Sequence, residues 1–185
     1  MEINLEQFIA MQRQAYENQK RVFLPVIDEL ARAGKWQEFC TQVQAVYEVM
    51  PVAFTQYYED MPIKYRRDFV VGCYMNHGDS IEECRQALIQ LPRNGLNELP
   101  RECKEQPYII VYRAGEEDID QAKDRISWTL DVKTAEFFMN TWRSRHANAM
   151  YKAKIKPCDV IAFTDERKEQ EVLQFRGVYD IERVS

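Results

Sequence analysis

The feature that most limits what this chain can fold into is a change of hydrophobic period midway along it. From Asn4 to about Gly34, Leu5, Phe8, Ile9, Val22, Phe23, Val26, Ile27 and Leu30 recur at three- and four-residue steps, the mark of an amphipathic helix. Pro25 should kink or divide that helix, and Gly34 is a natural terminator. A second helix is expected from Trp36 to Met50, ended by Pro51, and a third from Ile63 to Met75, stopped by His77-Gly78. Ser80 with Glu83 forms a capping box for a fourth, closing near Leu91-Pro92. Residues 92–107, with prolines at 92, 100 and 107, read as a linker. Beyond it the pattern turns to strands: Tyr108–Tyr112, Tyr151–Lys156, Val160–Phe163 and Val172–Phe175, with one helix at Lys133–Arg145. The expected fold class is therefore α+β, a helical first lobe (1–104, linker included) followed by a compact β-rich core (105–185).

The 185 residues fit one domain of two lobes, and 45% hydrophobic with 30% charged residues excludes a disordered or fibrous chain. No apolar run approaches the roughly 20 residues of a membrane span, and with no basic segment ahead of an apolar one in the acidic first residues, a secretory signal is not expected. A net charge of −5 argues against nucleic acid or anionic lipid as a partner of the whole surface. The five cysteines are odd in number and widely spaced, with only His77 and His146 beside them. That pattern disfavours a zinc site and fits reduced thiols in a cytoplasmic compartment, so no metal is expected.

The six glycines lie too far apart for a dinucleotide or phosphate-binding loop, and no Gly-x-Ser-x-Gly elbow is present. Three features remain. Arg113 follows the apolar strand and precedes Ala114-Gly115, a position suited to gripping a phosphate or carboxylate, or to pairing with Glu116 or Glu117. In Ser127-Trp128-Thr129, alternation sends both hydroxyls to one face and Trp128 to the other; the triplet can orient a carboxylate or simply be an edge strand. In Glu169-Gln170-Glu171 the two carboxylates share a face within about 7 Å, a separation suited to glycosidic chemistry. The plainer reading is a solvated turn continuing Asp165-Glu166-Arg167-Lys168.

Taken in order, strand-Arg113, then Ser127-Trp128-Thr129 with a helix behind it, then Glu169-x-Glu171 entering a strand resembles the Arg-Ser-Glu class of mono-ADP-ribosyltransferases. That class includes cholera-toxin-like and clostridial actin-modifying toxins and small phage enzymes. The similarity spans about residues 108–175. It implies a helical lobe packed on a mostly antiparallel core that forms a cleft for NAD, which is a substrate of the reaction. Arg113 would bind a phosphate of NAD, and the backbone at Ala114, where the family usually has glycine, would hold the carboxamide. Ser127 would position Glu171 and Thr129 would complete the triplet; Trp128 departs from the family's usual Ser-Thr-Ser. Glu171 would stabilise the ribose cation as nicotinamide leaves, and Glu169 would take a proton from an acceptor arginine. Phe163 and the loop to Lys168 would meet a protein substrate in a cytoplasm, the cell's own or a host's. Phe138 would stack on nicotinamide or serve the core.

The acid-free stretch Arg143–Lys156 either steers an anionic ligand or lines the wet side of a half-buried strand. The activity implied is transfer of ADP-ribose from NAD to a protein side chain, with arginine as the expected acceptor. Two other readings stay open: an NAD glycohydrolase, and a non-catalytic module whose helices present a docking face.

Overall fold

The computed structural model describes residues 5–115, 118–141, 148–175 and 177–184. The first helix, α1 (Leu5–Arg32), buries or half-buries Tyr16, Lys20, Phe23, Ile27 and Leu30, a stripe at four- and three-residue steps. Val22 and Val26, expected on the apolar face, are exposed. Pro25 does not divide the helix: it lies on the exposed side, where water can satisfy the carbonyl that loses its amide partner. The helix ends in a Schellman motif, with Lys35 N–H donating to Leu30 O (2.9 Å), Gly34 N–H to Ala31 O (3.0 Å), and Gly34 at φ +67°.

α2 runs from Trp36 to Ala45, shorter than expected, because the backbone turns extended at Val46. Pro51 then opens a helix, α3 (Met50–Gln56), where its missing N–H costs nothing. α4 (Ile63–His77) and α5 (Glu82–Gln90) follow. The expected capping box does not form: Ile81 occupies the N-cap, and Ser80 Oγ donates back to His77 O at 2.5 Å. The core of this unit (Met1–Leu91) is aromatic, with Phe69 against Phe54 (4.9 Å between centroids) and Phe39 (5.9 Å). Cys40, Cys73 and Cys84 are buried in it and form no disulfide.

The second unit (Pro92–Ser185) holds α6 (Arg101–Lys104), β1 (Ile109–Gly115), α7 (Ile119–Lys123), β2 (Ser127–Thr129), α8 (Val132–Asn140), β3 (Ala149–Ile155), β4 (Val160–Thr164), β5 (Glu171–Gln174) and β6 (Tyr179–Arg183). All pairings are antiparallel, in one six-stranded sheet of order β4-β5-β2-β1-β3-β6. The class is α+β, as the change of period implied. Residues 92–107, read as a linker, fold with this unit instead. Leu99 is buried in the sheet's core, and Glu98 Oε2 accepts the Phe163 N–H at 2.9 Å. Gly95 is pressed on β4 so closely that an added Cβ would lie 2.8 Å from Ala162 N and 2.9 Å from Ile161 C. Because backbone cannot step aside as a side chain can, Gly95→Ala is expected to destabilise this unit by about 1–3 kcal/mol, read by denaturant unfolding.

On β3, Ala149, Tyr151, Ala153 and Ile155 are buried, while Lys152 and Lys154 pair with Glu182 and Asp180 of β6, each at 2.8 Å. The plain reading of this lysine run thus describes the strand; Arg143 and Arg145 lie outside the described residues, as do Trp142, Glu116 and Glu117. Among the described residues, no helix is long and apolar enough to cross a membrane.

Candidate active site

The sheet brings the three separated motifs onto adjacent strands. β2 lies between β1 and β5, with Ser127 opposite Leu173, Trp128 opposite Val172 and Thr129 opposite Glu171. In an antiparallel ladder opposed residues share a face, so Ser127, Thr129 and Glu171 stand together and Trp128 turns away. Ser127 Oγ donates to Glu171 Oε1 at 2.5 Å. On the other flank, β1 and β2 share the pair Tyr112–Thr129, and beyond it the Arg113 guanidinium donates to Ser127 O at 2.8 Å. A guanidinium, a hydroxyl and a carboxylate from stretches 14 and 44 residues apart are thereby linked through one serine.

The second carboxylate is held by the β4–β5 hairpin. Thr164 pairs with Glu171 at its base, and Asp165 clasps the turn: its Oδ1 accepts Gln170 N–H (3.1 Å) and its carbonyl accepts Lys168 N–H (2.9 Å). Lys168 and Gln170, which flank Glu169, have positive φ (58° and 44°), at a cost on the order of 1–2 kcal/mol each. The end of β2 secures the same segment. Thr129 Oγ1 donates to Glu169 O at 2.5 Å, and Leu130 N–H to Gln170 O at 3.0 Å. Thr129 therefore acts on the backbone that presents the glutamates.

Glu171 is buried, at 8% exposure. Burial pushes its carboxyl above the ordinary glutamate range; the Ser127 hydrogen bond and the Arg167 cation pull it back, and the Glu169 charge adds to the rise. Arg167, in the charged run whose plainer reading is a solvated turn, folds back onto the two glutamates. Its Nη2 lies 3.1 Å from Glu169 Oε2 and 3.1 Å from Glu171 Oε2, reaching from an exposed position to both anions. The signal was present in spacing: residues two and four before a carboxylate in a tight hairpin return to the same neighbourhood.

Of the other expected site residues, Ala114 is in β1 opposite Met150 and is not among the positive-φ residues, so its methyl group is accommodated by ordinary extended backbone. Trp128, which the resemblance would place with the triplet against NAD, does not stand with the two hydroxyls. It is 2% exposed within the hydrophobic core, its indole N–H donating to Arg125 O at 2.9 Å, because alternation places the middle of the triplet opposite the hydroxyl face. Phe163, expected to meet a substrate, is opposite Val172 and packs against the same core. Phe138, on α8, is half-buried with its ring edge-on to the exposed Phe137, centroids 5.9 Å apart. Among the described residues no group of three His, Cys, Asp or Glu side chains converges as a metal site would require. Comparison with family models, curated proteins and solved structures returns no match for the chain.

Proposed function

We propose that the chain is an NAD-dependent mono-ADP-ribosyltransferase with an ADP-ribosyltransferase-like core. The observation that carries this reading is the hydrogen bond from Ser127 to a buried Glu171, with Arg113 tied to the same serine. Breaking the N-glycosidic bond of NAD builds positive charge on the ribose. A fixed, partly desolvated carboxylate stabilises that charge more in the transition state than in the ground state. Ser127 holds one oxygen of Glu171 in place, so little reorganisation remains for the reaction itself. Arg113 would take a phosphate through its planar fork, which carries five N–H donors.

Glu169 gives the reading its acceptor. An arginine is almost wholly protonated near neutral pH, so a carboxylate beside the attacking nitrogen has a proton to remove. Glu169→Gln is expected to cut transfer to agmatine, a free guanidine, by about 10²-fold while sparing NAD hydrolysis. Nicotinamide release and agmatine modification, followed together, test this; equal loss of both would undo the division of labour. The decisive experiment for the activity is incubation of the chain and a cell lysate with labelled NAD, with mass spectrometry of the products. Added mass on a protein supports transfer, nicotinamide release without it means hydrolysis, and neither product refutes the proposal.

A further inference from the structure

The cation that sits on both candidate carboxylates is itself a guanidinium. Arg167 projects from the exposed side of the β4–β5 hairpin, and one of its nitrogens is 3.1 Å from an oxygen of Glu169 and 3.1 Å from an oxygen of Glu171. An ordinary surface pair needs only one partner and contributes little. Here the side chain bridges the buried carboxylate of Glu171 and the more open one of Glu169. The turn that carries it is fixed: Asp165 holds Lys168 and Gln170 by their amides, and Thr129 holds Glu169 by its carbonyl. Arg167 is thus kept within reach of the pair by the same contacts that present the glutamates.

Resting on the transferase reading above, we infer that Arg167 occupies the acceptor position and is an internal ADP-ribosylation site. In the step, the C1′–nitrogen bond of NAD breaks and its electron pair leaves with nicotinamide, which departs neutral. Glu169 accepts a proton from the Arg167 guanidinium, and the freed nitrogen lone pair forms the new bond to C1′. Glu169 then passes the proton to water. The modified side chain stays on the hairpin beside the two carboxylates, so the reaction closes the acceptor position to later guanidines and limits itself.

The test uses the intact chain with NAD labelled in its adenosine half, over a wide range of chain concentrations and with agmatine as a competing guanidine. Released nicotinamide is quantified and the labelled residue mapped by fragmentation. The expected result is label on Arg167, at a fractional rate independent of chain concentration and reduced by agmatine. Nicotinamide release or agmatine modification with no label on Arg167 would overturn the internal acceptor while leaving the transferase reading in place. A rate that climbs with chain concentration would move the modification between molecules and also overturn it. Absence of nicotinamide release under all conditions would remove the transferase reading, and the internal acceptor with it.

Discussion

Replacing Glu171 by Gln should lower nicotinamide release from NAD by on the order of 10²-fold or more, the loss seen when one preorganised electrostatic stabiliser is removed from a desolvated site. Glutamine keeps the shape and an oxygen that can still accept from Ser127, so the circular dichroism spectrum should stay native while the negative charge is gone. Full activity in this variant would remove Glu171 from the chemistry. On the transferase reading, the same carboxylate should set the acid limb of the pH profile. Burial raises its pKa, so activity should fall off at a higher pH than for an exposed glutamate. Ser127→Ala removes a donor to the anion and should move that limb further upward.

The sign for stability follows from the same shift. The folded chain holds the Glu171 proton more tightly than the unfolded chain does, so this group favours folding most at low pH. That contribution is lost as pH rises from the ordinary glutamate value through the raised one. At neutral pH the buried charge therefore weighs against folding, and Glu171→Gln should unfold at a higher temperature than the natural chain. Loss of activity together with a gain in stability is the combination that a charge kept for chemistry predicts.

The second large effect is on the fold. Trp128→Ala should destabilise the second unit by about 3–5 kcal/mol, since it deletes a fully buried indole between packed strands. It also removes the N–H that Arg125 O accepts; the Gln174 amide, which donates to the same oxygen at 2.7 Å, would remain. Denaturant unfolding measures this directly. A variant of unchanged stability with weakened NAD binding would put Trp128 on the ligand side after all.

The parts of this architecture legible in the sequence were those set by a period. The apolar run Tyr108–Tyr112 marked a strand, which forms as β1 with Ile109 and Val111 buried but Tyr108 and Ile110 exposed, and alternation correctly sent Ser127 and Thr129 to one face. Where chain direction depended on a single residue, local rules misled. Pro25 and Pro51 both looked like breaks, yet one faces solvent within a continuous helix and the other sits in the first turn of a new one. β6 was missed because its burial alternates weakly: four of its five residues are exposed and its lysine partners lie on β3. Arg113, Ser127 and Glu171 were legible as ordered motifs and the resemblance implied the link from Ser127 to Glu171, but the link to Arg113 was not legible. The bond from Arg113 goes to a backbone carbonyl, which leaves no trace in side-chain pattern. Arg167 was hidden for a different reason, since a run of alternating charges looks alike whether it is solvated or folded back on itself.

The pairing of Thr164 with Glu171 at the base of the hairpin has a consequence for how this protein can change length over time. Residues added among 166–168, at the tip, would leave the ladder untouched and alter only what the turn offers to solvent. A single residue gained between Gln170 and Val172 would slip β5 by one place, which reverses every side chain on the strand. For a residue gained just before Glu171, the newcomer would then stand opposite Thr129 where the carboxylate belongs, and the acid would be driven into the apolar interior beside Trp128. Insertions and deletions among descendants of this sequence should therefore gather at the turn and be purged from the strand by parity alone.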